Sequence, residues 1–485
     1  MRGPPSVAST SRRHGRHRSH YGGSSYQPQN DFPVFTHTGD VEILVSAGGK
    51  EQKYLLHRLI LAQCSGFFEA GTSEEWSRAQ ALSGPASGDE AQRPPAIMAK
   101  GEGRSRWRYE LDWGDNSDGE VPMLVQKNPS STIFGGDNIP RPPPARSSRP
   151  AAPQNGFFRS MANFSALHIP HTSNSPDDPA NDILRDYDNL FRIFYNYTPA
   201  LDALNIASAY VQCKSLLLLA DMYDALEVVG PRVDHHLLQF QGRLWKQIAK
   251  YPPSYLKLGY MARSKVIFKE ALVHVVGQWP RDFQHLRNQL PEQVLDVIED
   301  KVEELEDMKA KIEGRLFRLT LTTPRGDRVT PTNNYLDWTA VSLFRQWLAE
   351  NTTPSPSPPP PPSSTSNNNT TNNNSNLANA SPRSAPLPAP PANTGRIYRL
   401  IGQGGPSYLG HDELKRFLKL RPEDYSRDNL RRFERRMEEL KGLAREHVKP
   451  LMRNTLEMEM GGKEGGGIGY LTCTKVGERD FPWEE

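Results

Sequence analysis

Cysteine is scarce in this 485-residue chain: Cys64, Cys213 and Cys473 stand far apart and form no CxxC pair. An odd number without paired spacing argues against a disulfide framework and against a structural zinc site. Long apolar runs are missing as well. No window approaches the roughly 20 apolar residues that span a bilayer, and the arginines of Met1 to His20 have no apolar stretch behind them. The expectation is an intracellular, reduced, soluble chain of the cytoplasm or nucleus, with no membrane partner. Charge of one sign is also lacking, since 59 Lys and Arg stand against 56 Asp and Glu, a net +3. The whole chain is therefore no polycation for nucleic acid or membrane, and any basic effect is local.

The motifs of chemistry are absent too. There is no GxSxG, no HExxH and no Cys/His nucleophile arrangement. The glycine-rich stretches 402–405 and 461–467 invite a phosphate-loop reading. However, Glu464 follows Lys463 where a Ser or Thr must hold magnesium, and Glu457 stands where the leading glycine belongs. No residue set is left to carry an enzymatic reaction, so the chain is read as a non-enzyme with no cofactor and no metal site.

What is present is unevenly distributed. Hydrophobic residues make up 36%, and the 42 prolines and 37 glycines are concentrated rather than spread. Much of the chain cannot bury enough apolar surface to offset its ordering entropy. This composition predicts a folded core interrupted and flanked by disorder. Residues 1–30 are a disordered basic tail carrying Arg12, Arg13, His14, Arg16, His17 and Arg18. The core runs over 31–240, with low-complexity insertions at about 79–104 and 114–180. A helical extension covers 241–320, a Pro/Asn-rich linker 352–395, and a helical C-terminal segment 396–485.

Within the core, Val41 to Val45 and Tyr54 to Leu56 flank the turn signal Ser46-Ala47-Gly48-Gly49 and read as a hairpin. Leu59 to Ala62 and Cys64, Phe67 and Phe68 read as short helices broken at Ser65-Gly66. Trp107 to Trp113 alternates ring or aliphatic with charge, the period of a strand with one buried face. From Asp182 the apolar spacing becomes helical up to Thr198-Pro199, and several short helices are expected over 201–240. Leu295, Ile298, Val302, Leu305, Ile312 and Leu316 follow a near-heptad. That spacing fits either a short coiled coil or, better, one amphipathic helix docked on its own core. Ser426 to Val448 reads as a helix with Leu430, Phe433, Met437 and Leu440 on one side. Its arginines and glutamates form a solvated, salt-bridged face rather than a DNA-binding stripe.

Three stretches carry a resemblance. The first is Gly39-Asp40-Val41 with Ile43 and Val45, leading to Tyr54-Leu55-Leu56-His57-Arg58-Leu59-Ile60-Leu61-Ala62 and Cys64-Ser65-Gly66-Phe67-Phe68-Glu69-Ala70. The others are Phe191-Arg192-Ile193-Phe194-Tyr195 and Leu218-Leu219-Ala220-Asp221-Met222-Tyr223-Asp224-Ala225-Leu226. In this order they resemble a BTB/POZ domain, and the split after the second short helix resembles that of filamentous-fungal members. The resemblance implies an α+β fold, a small mixed sheet with a cluster of short helices, here interrupted by a disordered insertion and followed by a helical extension. It implies a core that includes Val41, Ile43, His57, Leu61, Phe67, Phe68, Tyr195, Ala220 and Tyr223.

For function, the resemblance implies a protein-binding module that commonly dimerises, through a charged pocket whose counterparts here are Asp40 and Arg58. The competing reading is that Asp40 caps a turn while Arg58 reaches solvent. Some members bridge a cullin scaffold to a ubiquitylation substrate. The nearest counterpart of the cullin contact is Trp76-Ser77-Arg78, with arginine where the acid belongs, which disfavours that complex. His57 is implied to satisfy backbone groups at the strand-to-helix junction. The alternative function is a nuclear, transcriptional regulator whose domain dimerises and whose basic tail contacts nucleic acid.

Overall fold

Two consecutive glycines decide the first turn. Gly48 and Gly49 both have positive φ, 56° and 76°, which bends the chain back in two residues with the twist that a hairpin needs. The computed structural model describes residues 30–73, 107–114, 122–127, 179–280, 286–352, 394–458 and 468–483. Its elements combine α-helices with one small mixed sheet. The chain divides into two units: Met1–Ala62 with Ala70–Ile139, and Gln63–Glu69 with Pro140–Glu485.

The first unit holds the sheet. Strand β1 (Val41–Ala47) pairs antiparallel with β2 (Lys50–Leu56), from Val41 opposite Leu56 to Ala47 opposite Lys50. On its other side β1 runs parallel to β3 (Trp107–Asp112), with Val41 opposite Trp107, and β3 pairs antiparallel with β4 (Met123–Lys127). The order is β2-β1-β3-β4. As an inner strand, β1 buries Val41, Ile43 and Val45 completely. The outer edge of β2 is partly covered by the preceding chain, because Leu55 N–H donates to the Pro33 carbonyl and Phe35 N–H to the Leu55 carbonyl.

Two expectations change here. Strand β4 lies inside the segment assigned to the 114–180 insertion, where Met123-Leu124-Val125 reads as scattered apolar residues. Leu124 is buried, so excising 115–179 would remove a sheet strand rather than an inert loop. In β3 the alternation is incomplete. Tyr109 and Leu111 are buried, but Trp113 is exposed and donates its indole N–H to the Ser46 carbonyl (3.0 Å). Arg108, expected on a wet face, is buried and ion-paired to Glu110 on its own strand.

The chain leaves the first unit within α1 (Arg58–Cys64) and returns to it within α2 (Gly66–Gly71). Ser65 separates the two helices, and its hydroxyl accepts the Phe68 N–H.

The second unit is helical. Helix α3 (Pro179–Phe194) is followed by α4 (Ile206–Met222) and α5 (Leu226–Leu238). The stretch 201–240 holds two helices, α4 of 17 residues and α5 of 13, where several short ones were expected. Asn205 caps the start of α4 by accepting the Ala207 N–H, and almost every turn contributes buried residues, so propagation continues through the leucine run. Helices α6 (Gly242–Lys250), α7 (Pro252–Met261) and α8 (Lys265–Gly277) continue the unit.

The near-heptad segment is a single helix, α9 (Glu292–Phe317). It buries Val294, Ile298, Lys301, Leu305, Ile312 and Leu316, while Leu295 and Val302 sit at the margin. It packs on α8, on α10 (Tyr335–Thr352) and on the last long helix, a single amphipathic helix docked on its own unit. Helix α10 lies just ahead of the 352–395 linker, where no element was assigned. Helices α11 (Thr394–Gln403), α12 (His411–Lys419) and α13 (Arg427–Val448) follow. Helix α13 starts at the Ser426 cap and buries Leu430, Phe433, Met437 and Leu440, the residues that its spacing indicates. The C-terminal segment packs within the second unit, α13 against α9, α10, α11 and α12.

A ring cluster closes the start of this unit. Phe67 and Phe68 meet the Tyr223 ring at centroid distances of 4.9 and 5.9 Å, and Phe191 and Tyr187 complete the group. Phe68 is fully buried among these rings, so its removal leaves a cavity in a close-packed interior. Phe68→Ala is expected to lower the stability of the helical unit by about 3 to 5 kcal/mol in denaturant unfolding followed by helical circular dichroism.

Candidate protein-interaction site

Asp40 and Arg58 are brought together, but not as a charge pair between side chains. The Asp40 carboxylate accepts the backbone N–H of Arg58 at 2.7 Å, so it caps the first turn of α1 from the neighbouring strand. Asp40 is held at that point by its own backbone, whose N–H donates to the Leu56 carbonyl and whose carbonyl accepts from Trp107. The Arg58 guanidinium turns elsewhere. It donates to the Thr72 carbonyl at 3.2 Å and lies 5.2 Å from the centre of the Trp107 ring. The capping reading of Asp40 therefore holds, whereas Arg58 is stacked inside its unit rather than reaching for solvent. Within the chain these two side chains form no charge pair with each other.

His57 stands at the strand-to-helix junction as expected, but its Nε2 bonds to the Thr38 hydroxyl at 2.7 Å and its ring packs at 4.6 Å on Phe35. Of the expected core, Val41, Ile43, Leu61, Phe68, Ala220 and Tyr223 are fully buried, while His57, Phe67 and Tyr195 lie at its margin. Tyr195 falls in the turn just after α3, which explains its partial exposure. Trp76, Arg78 and the basic tail of residues 1–29 lie outside the described residues. Among the described residues of the first unit, the large apolar side chain left most open is Leu59 of α1, 71% exposed beside Arg58.

Several polar groups have no counterpart in the sequence reading. Asp186 on α3 is buried, accepts from the Ser215 hydroxyl of α4 and is ion-paired with Arg185 at 3.0 Å. Burial raises its carboxyl to about 6, against the pull of Arg185 and Ser215. Lys257 on α7 is buried, and its ammonium is pushed down to about 8 by burial and by Lys214, while Asp221 holds it up. Only the fold places these groups together. Asp186 and Ser215 belong to different helices, and nothing in their sequence spacing marks a pair. Among the described residues no group of three or more His, Cys, Asp or Glu could hold a metal ion, and no helix is long and apolar enough to cross a membrane.

Two outcomes follow from this geometry. Asp40→Ala is expected to destabilise the sheet unit by about 1 kcal/mol, and Asp40→Asn by less because the amide oxygen still accepts, measured by hydrogen exchange of β1 and α1 amides. Asp186 in the native protein keeps its proton up to about pH 6, whereas in the unfolded chain it loses it near pH 3.9. Its contribution is therefore full below pH 4 and is lost as pH rises through 6, on the order of 2 kcal/mol. Buried His274, lowered to about 4, acts oppositely over the same range, so the informative measurement is the difference between native and Asp186→Asn denaturation curves from pH 4 to 7. The variant is expected to lose the falling component and leave the rising one.

Compared with models of known protein families, with curated proteins and with solved structures, the chain matches none.

Proposed function

We propose that this chain is a non-enzymatic protein-interaction module of the BTB/POZ type that self-associates and recruits protein partners. The observation that carries the reading is a long-range contact between two of the segments on which the resemblance rests. Ser65 and Tyr223 are 158 residues apart, yet the Ser65 hydroxyl donates to the Tyr223 carbonyl at 2.6 Å, and Gly66 N–H donates to the Asp224 carbonyl at 3.1 Å. A random sequence likeness gives no reason for those two stretches to meet. The order of elements along the chain, hairpin, two short helices, strand and then helices, supports the same reading.

With Asp40 and Arg58 bonded inside their unit, the exposed Leu59 of α1, an apolar side chain of the kind that an interface covers, supports a self-association face on that helix. A substrate-adaptor role toward a cullin scaffold is the finer form of the proposal; it rests on the family resemblance alone, and Arg78, standing where the family has an acid, counts against it. Sedimentation velocity of the full chain across a range of concentrations tests the first part. A concentration-dependent dimer that Leu59→Asp converts to monomer is expected, and a monomer at every concentration would sink self-association. Calorimetric titration with the N-terminal region of the cullin tests the second, where absence of heat with a folded protein removes the adaptor role.

A further inference from the structure

The last described segment, residues 468–483, is a strap laid across the helical unit, with neither strand nor α-helix. It runs extended at 472–474, where the one Thr455 hydroxyl reaches alternate carbonyls, and closes in a short 3-10 turn at Glu478–Asp480. Leu471, Thr472, Cys473 and Thr474 are all buried. Successive side chains of an extended peptide point to opposite sides, so four buried in a row require walls on both sides of the strap. One wall is the stretch after α13, where the Thr455 hydroxyl and N–H donate to the Thr472 carbonyl and the hydroxyl also reaches the Thr474 carbonyl. The other is α8 with α11. A Cβ on Gly277 would stand 2.4 Å from the Leu471 carbonyl oxygen, and one on Gly395 would stand 2.6 Å from that of Gly469. The strap backbone therefore runs where only glycine leaves room.

The floor of this groove is not an ordinary apolar core. His274 Nδ1 is 2.7 Å from the Tyr470 hydroxyl, Arg399 donates to the Tyr470 carbonyl at 2.6 Å, and Lys265 and Lys301 pair with Glu478 and Asp480 at 2.6 and 3.1 Å. At its end Phe268 receives Phe481 and Trp483, with ring centroids 6.1 and 5.1 Å away, and Tyr260 packs on Trp483. Apolar pockets with a few placed polar and basic groups are the makeup of a recognition site for a segment whose carboxylates, here Glu478 and Asp480, stand just ahead of aromatic residues, although Lys475 and Arg479 leave the strap without net charge. The sequence that joins the strap to the body, Gly461-Gly462-Lys463-Glu464-Gly465-Gly466-Gly467, has five glycines and no apolar side chain.

We propose that this groove is a peptide-binding site, filled in cis by residues 468–483, and that in trans it takes a partner protein's peptide that places two carboxylates just ahead of an aromatic end. The strap shows which chemistry the groove accepts, and Lys265 and Lys301 fix where its two carboxylates sit. Because the strap is tethered, it competes at high effective concentration, and a partner gains access only when the strap opens without unfolding the body. This inference does not depend on the reading of the first unit or of α1.

The test uses the full chain and its own thiols. Cys473 is buried in the strap and Cys213 in the centre of α4. If the strap opens locally, Cys473 is expected to be alkylated about 100-fold or more faster than Cys213 under native conditions, read by mass spectrometry. Equal rates would show that the strap opens only with global unfolding and would overturn the proposal. Gly277→Val, which forces the strap outward, is expected to raise the Cys473 rate and leave Cys213 unchanged, and a parallel rise at both sites counts against it.

The trans arm places a specific protease sequence within 461–467 of the full chain, cuts it, and adds a labelled synthetic peptide of residues 468–485. Saturable exchange is expected, at least about tenfold weaker with Trp483→Ala or with Glu478→Lys and Asp480→Lys in the peptide. Retention of the cut strap until the helices melt, or a peptide that binds regardless of these changes, overturns the site.

Discussion

The contact between Ser65 and Tyr223 is the constraint from which the start of the helical unit is organised. Closing a loop of 158 residues costs roughly 4 to 5 kcal/mol in chain entropy beyond a constant term. Burying one ring such as Phe68 returns about 1.5 to 3 kcal/mol, less than that cost, but the cluster has five rings, so together they offset the closure. Burial alone does not set the geometry, however. The Ser65 hydroxyl does two tasks, donating to the Tyr223 carbonyl and accepting the Phe68 N–H, so it ties the junction and caps the helix at once. A Cβ on Gly66 would meet the Asp224 carboxylate, so any larger residue there would have to turn that side chain aside. The Tyr187 and Tyr223 hydroxyls complete the arrangement by bonding each other at 2.8 Å, and burial keeps Tyr187 un-ionised.

Local signals in the sequence are those that need no partner to be understood. The Gly48-Gly49 turn, the break at Ser65 and the Ser426 cap each act through their own backbone, and each is legible. The apolar stripe of α13 is legible for the same reason, since helical periodicity is intrinsic to the segment. Strand β4 is not. Five residues between low-complexity stretches become a strand only because β3 offers an edge, and that offer is invisible in the sequence of β4. The pairing of Asp40 with Arg58 shows another limit. Proximity was legible in the motif, but which atom of Arg58 the carboxylate takes depends on where α1 begins, and it takes the backbone N–H.

Helix α13 illustrates how charge follows packing. Its arginines read as a solvated face balanced by glutamates on the same helix. Arg436 does pair with Glu439, but its Nε also lies 2.9 Å from Asp337, which is buried on α10, and its Nη2 donates to the Thr322 carbonyl. Arg432 reaches the same carboxylate at 3.4 Å. Such a pair adds little net stability after desolvation, but it rejects any rotation of α13 that would leave Asp337 buried without a cation. The charged face is therefore partly an orienting device between helices and only partly a solvated surface.

The same logic recurs wherever the second unit joins segments distant in sequence. Glu270, buried on α8, accepts the N–H groups of Glu457 and Met458 at 2.7 and 3.2 Å. Lys441, buried on α13, donates to the carbonyls of Gly405 and Leu409 and pairs with Glu438. Apolar burial is non-directional and would tolerate many registers of these segments against the helices. A buried charge tolerates few, because leaving it without partners costs more than the contact itself contributes. In a chain whose elements are separated by long low-complexity stretches, covalent connectivity specifies little about which segments meet. Buried polar side chains supply that specification, so the residues that select the arrangement are those that a hydrophobic pattern leaves out.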